Sequence, residues 1–123
     1  MRVLILAAIA ALAPVSSAQP GPRVVIEDDV SHDNAIKCSA LRASQVKALT
    51  DAGAKPDALL ANTNDAWTAY LKSQPGYDAA KAKAEIEARV NGFKSSPSFY
   101  ANPGAFLDNL EKDCAPFEIR SPN

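Results

Sequence analysis

Two cysteines, Cys38 and Cys114, constrain this chain more than any other feature, because there are no others and they stand far apart in it. Each lies on the apolar side of a helical pattern, Cys38 with Leu41, Ala48 and Leu49, and Cys114 with Phe106, Leu107 and Leu110. A bond between them ties the first helical segment to the last. Metal ligation by the pair is the competing reading. It needs histidines or further cysteines at short spacing, and the chain has one histidine, His32. A disulfide between Cys38 and Cys114 is therefore expected, and with it an oxidising compartment.

The first residues agree with that address. Met1-Arg2 precedes an apolar run from Val3 to Ala13, followed by Pro14 and the small residues Ser16-Ser17-Ala18. This is the order of a secretory signal peptide, here spanning residues 1–18, with cleavage expected after Ala18. As a membrane anchor the run is too short, since it rises about 16 Å as a helix against roughly 30 Å of hydrocarbon. The expected mature chain of about 105 residues is the usual size of one domain. The reading is an extended segment over 19–32 and a helical domain over 33–123, secreted or periplasmic, with no membrane insertion after cleavage. Thirteen basic and 14 acidic residues are interleaved along the chain. No basic face stands out for nucleic acid or anionic lipid.

Gln19-Pro-Gly-Pro22 reads as a stiff tether. Arg23-Val-Val-Ile26 is a strand candidate, and Phe117-Glu-Ile-Arg120 is its one available partner for a short two-stranded ribbon. The first helix is expected from Asp33 or Asn34, either acting as cap, to about Ala52, with Gly53 ending it. Pro56 suits the first position of a second helix, with Asp57 in its first turn. That helix aligns Leu60, Thr63, Trp67, Tyr70 and Leu71, and Asn62-Thr-Asn-Asp65 predicts a bend or break near its middle. Asp78 caps a third, in which Ala79, Ala82, Ile86, Val90 and Phe93 recur at helical spacing and Lys81, Glu85 and Arg89 form a charge ladder. After an interruption at Ser95–Tyr100, which has room for one short helical turn, Asn102-Pro103 starts a fourth helix that Pro116 stops. Four helices with short links predict an all-α, up-down-up-down four-helix bundle, which places Cys38 and Cys114 at the same end.

Few residues carry recognisable chemistry. Glu27-Asp-Asp29 with His32 and Asp33 is the one local cluster of ligand-type side chains, but it lacks the glycine and terminal glutamate of a calcium loop. His32-Asp33, shortly before Cys38, resembles the His-Asp pair of secreted phospholipases A2, in which the histidine activates water. The resemblance is confined to these two residues: the flanking cysteine and tyrosine pattern and the glycine-rich calcium loop have no counterpart, and the chain is not assigned to that family. Nucleophile elbows, phosphate loops, zinc-protease motifs and haem sites are absent from the sequence. Gln45 falls at the centre of the first helix's apolar stripe, where a buried amide needs a partner such as Thr63 or a backbone carbonyl.

Of the aromatic residues, Trp67, Tyr70, Phe99 and Tyr100 are the candidates for contact with a partner or ligand, with core packing as the plainer role for all four. The segment Ser95–Gly104 stands out for its two prolines and its aromatics. The functional expectation is non-enzymatic binding of a protein or peptide in the periplasm, with no cofactor or metal. A carrier of a small apolar ligand in the helical core is the alternative, and a secreted hydrolase using His32-Asp33 comes third.

Overall fold

The computed structural model describes residues 21–121. The expected signal peptide, residues 1–18, lies outside the described residues. The chain runs β1 (Arg23–Ile26), α1 (His32–Asp51), α2 (Ala58–Ser73), α3 (Ala79–Ser95), α4 (Pro97–Ala101) and α5 (Pro103–Cys114), then a 3-10 turn (Ala115–Phe117) and β2 (Glu118–Ser121). Five helices therefore stand where four were expected, because Pro97 restarts the chain as a single short helix inside the predicted interruption.

Local chemistry sets most of the boundaries. Ser31 rather than Asp33 or Asn34 caps α1, its hydroxyl accepting from Asn34 N–H. Asp57 caps α2 by accepting from Leu60 N–H at 2.8 Å, so Pro56 precedes the helix instead of opening it. Asp78 caps α3, and Asn102 caps α5 with Pro103 in the first turn, as the sequence indicates. At the end of α1, Gly53 takes φ +77° while its N–H bonds Thr50 O and Ala54 N–H reaches back to Leu49 O. That is the Schellman closure, which needs a left-handed residue at this point. The expected break in α2 does not occur. Thr63 and Thr68 turn their hydroxyls onto the carbonyls of Leu59 and Asn64, which keeps both side chains satisfied inside a continuous helix.

α1 is the hub. It packs against α2, α3 and α5, and Ala35, Ile36, Cys38, Ser39, Ala40, Leu41 and Arg42 are all buried. Burial is thus concentrated all round its first half, where small residues let neighbours approach, rather than along one stripe through Ala48, which is exposed. Leu107 and Ala79, expected inward, are exposed as well. The core joins Ile26, Val30, Ile36, Leu41, Trp67, Leu71, Leu110 and both cysteines.

β1 and β2 form the anticipated antiparallel ribbon, in the register Arg23↔Ser121, Val24↔Arg120, Val25↔Ile119 and Ile26↔Glu118. Phe117 lies in the 3-10 turn rather than in the strand, although its carbonyl accepts from Glu27 N–H at 2.8 Å and so extends the ladder. Cys38 and Cys114 are bonded, with their Cα atoms 5.6 Å apart and neither residue exposed.

Candidate functional site

The helix order brings three pairs of residues together at the same sequence separation of 76: Lys37 with Asp113, Cys38 with Cys114, and Arg42 with Glu118. Arg42 lies one helical turn beyond Cys38, and Glu118 four residues beyond Cys114, so a buried ion pair forms a second rung beside the covalent one. Arg42 is 5 % exposed and Glu118 6 %. Arg42 Nε donates to Glu118 Oε2 at 2.8 Å, and Nη2 donates to Glu118 Oε1. On its other side Nη1 and Nη2 donate to the two oxygens of Glu111, at 2.7 and 3.0 Å, and Nη1 also reaches Gln45 Oε1 at 3.0 Å. Trp67 Nε1 donates to Glu118 Oε2 at 2.7 Å. Each N–H of the guanidinium therefore has an acceptor, the condition under which a buried charge is tolerated.

Electrostatics follow from this geometry. Burial pulls the Arg42 pKa down, but the hydrogen bonds it donates to Glu118 and Glu111 and their negative charges outweigh it and hold the guanidinium above its ordinary value. The hydrogen bond from Arg42 holds the Glu111 carboxyl below the usual glutamate range. Burial opposes this shift, and the charges of Arg42 and Arg120 add to it. Gln45 thus finds its partner in Arg42 and not in Thr63, whose hydroxyl is committed to its own helix.

The residues singled out from sequence fare differently. His32 and Asp33 do not engage each other: His32 Nε2 lies 3.1 Å from Glu85 Oε1, and Arg89 Nη2 donates to Asp33 Oδ1 at 2.9 Å. The charge ladder of α3 therefore faces the start of α1 and fastens it. Among the described residues, no group of three or more histidine, cysteine or acidic side chains is placed to hold a metal ion, the stretch from Glu27 to Asp33 included. Trp67 is fully buried, with edge-to-face contacts to Tyr70 and Phe117. Tyr70 is half-buried, and its hydroxyl donates to Val30 O at 2.9 Å. Phe99 is half-buried against Phe106, which in turn meets Phe93 edge-on. Tyr100 alone of the four candidates presents its ring to solvent, at 74 % exposure, with Phe99 as its edge-to-face neighbour.

Surface grooves accompany these features. One of about 830 Å³ follows β1 and α2, lined among others by Val24, Ile26, Asp28, Ala66, Ala69 and Tyr70. A second of about 490 Å³ is walled by Leu49, Leu60, Glu111 and Arg120 beside the Arg42 network. A third, about 550 Å³, lies between α1 and α3 along Ala43, Ala48, Ile86 and Val90. No helix among the described residues is long and apolar enough to cross a membrane.

The fold and site define a small helical domain, clamped by one disulfide and one buried ion-pair network and finished by a terminal β-ribbon. Comparisons with protein-family models, curated proteins and solved structures gave no match.

Proposed function

We propose that this is an exported, non-enzymatic protein that binds another protein or a peptide, with Tyr100 as the anchoring side chain. The observation that carries the reading is the exposure of Tyr100 on α4, a five-residue helix held between Pro97 and Pro103 and seated on the Phe99–Phe106–Phe93 stack. An amphipathic ring fixed on a stiff base gives up little conformational entropy on association, which is why tyrosine recurs at interface hot spots. The core supports a scaffold role in preference to a carrier, since Trp67, Leu41 and Thr63 fill the space between the helices to full burial.

Export rests on the signal-like residues 1–18 and on the disulfide, which an oxidising secretory or periplasmic compartment sustains. The up-down-up-down order of the four long helices belongs to the same proposal, on the strength of the tight turns at Gly53 and Gly76, both at positive φ, and of the clamp joining α1 to α5.

Native mass spectrometry of protein purified from its own compartment tests the reading. The expected spectrum shows a chain beginning at Gln19 with a macromolecular partner, lost in Tyr100→Ser. A reproducible added mass of small-molecule size, unaffected by Tyr100→Ser, would establish a carrier instead.

A further inference from the structure

Among the described residues no strand lies beyond the outer edge of β1, although Asn62 of α2 donates to Pro22 O at its start, at 3.1 Å. Because Glu27 N–H bonds Phe117 O, the antiparallel alternation turns the N–H and C=O groups of Val25 and Glu27 toward β2. Those of Val24 and Ile26 point the other way, toward that outer edge. The groove of about 830 Å³ runs along this edge, with Ala66, Ala69 and Ser73 of α2 beside it. On the outer face of the ribbon Val25 and its cross-strand partner Ile119 form an exposed apolar pair, at 53 % and 52 %. Unpaired strand edges of this kind are templates for a further strand.

We propose that the added strand is β1 of a second copy of this chain, paired antiparallel about a two-fold axis at Val25. The sequence of the strand is self-complementary in that register. Val24 meets Ile26 of the second copy, and these are the residues whose backbone groups point outward, so both members of each pair exchange hydrogen bonds. Val25 meets its own copy. Arg23 stands opposite Glu27 of the second copy, and the symmetry repeats that ion pair at the other end. Both side chains are exposed, and neither has an ion-pair partner among the described residues. Sliding the pairing by two residues keeps the backbone parity but sets Val25 against Glu27 or against Arg23, removing both the charge match and the apolar match.

The product is a four-stranded sheet whose outer face carries an unbroken row, Ile119–Val25–Val25–Ile119. Isologous contact of one edge with itself uses up that edge, so this contact closes at two chains.

Sedimentation equilibrium and cysteine cross-linking test this with substitutions confined to exposed positions. A dimer is expected, with its dissociation constant raised at least tenfold by Glu27→Arg alone and restored by Arg23→Glu with Glu27→Arg. Under mild oxidation Val25→Cys is expected to give a disulfide-linked dimer, because only position 25 faces itself. Glu27→Cys is expected not to, since its copies lie about four residues apart along the strand, roughly 13 Å. A monomer at every concentration, a dimer insensitive to the charge reversals, or cross-linking as efficient at position 27 as at 25 would each overturn the proposal.

Discussion

Replacing Glu118 with leucine should be among the most damaging single changes available in this chain. Leucine fits the apolar surroundings, but it strips Arg42 of two of its hydrogen bonds and its closest negative charge, and it leaves Trp67 Nε1 without an acceptor. Removing one partner of a buried pair costs about 3–5 kcal/mol, and an orphaned buried donor about 1–3 kcal/mol within or beyond that figure. Glu111 retains its contacts with Arg42, which argues for the lower half of the range. Against a total of roughly 5–15 kcal/mol for a domain, that loss is large. At about 4–8 °C per kcal/mol for a chain of this size, the melting temperature should fall by at least 12 °C. The chain's single tryptophan is the group that hydrogen-bonds Glu118, so urea or thermal unfolding followed by its fluorescence reads the right place. Arg42→Leu combined with Glu118→Leu removes both buried charges, and the double variant should be more stable than Glu118→Leu alone. A loss under about 1 kcal/mol in the single variant, or a double variant no better than the single, would refute the assignment of a buried, mutually dependent pair.

Reduction of Cys38–Cys114 opens a loop spanning 76 residues, for which loop-closure entropy gives about 4 kcal/mol. Calorimetry with and without reductant should show a markedly lower melting temperature but still a cooperative transition, since the Arg42 rung and the apolar core remain. Acid should weaken the protein through Glu111. Its folded pKa lies below the unfolded value, so its contribution is present above about pH 4.3 and lost as pH falls through the folded pKa. Glu111→Gln should flatten that acid limb in a pH series of melting curves, while the raised Arg42 pKa adds no slope at any pH below its unfolded value. Gly53→Ala should cost about 1–2 kcal/mol by urea titration, purely from the left-handed backbone, because a Cβ there meets nothing within 4 Å.

Much of the architecture was legible because it rests on local signals. The cap residues Asp78 and Asn102, the stop at Gly53, the two cysteines on inward faces and the β-branched run at Arg23–Ile26 each speak through their immediate neighbours. The Ser31 cap and the continuity of α2 were missed for a related reason: several polar residues compete for one role, and the winner depends on side-chain rotamers. Arg42 was invisible for a deeper one. A single arginine among alanines and a serine reads as solvated until something fixes which side of α1 is covered, and α1 turns out to be covered on nearly every side of its first half. One signal could have found it. Arg42 stands one turn after Cys38 and Glu118 four residues after Cys114, so a disulfide between those cysteines already sets opposite charges near each other. Glu118 also occupies the inward register of its strand, whereas Ile119 faces out. That inversion of the usual alternation marks a buried polar network rather than an ordinary strand. Of the aromatic candidates, Trp67 and Tyr70 proved to be core and buttress, and only geometry could separate them from Tyr100.

The claim that Tyr100 is the anchor of a protein-binding surface is tested most directly by placing a photo-reactive aromatic residue at position 100 and irradiating the protein in its own compartment. Thr68, exposed on α2, serves as the control position. A discrete covalent adduct with a different protein is expected at position 100 and none at position 68. Recovery of the chain without an adduct at position 100, or with the same adducts at both positions, would contradict it.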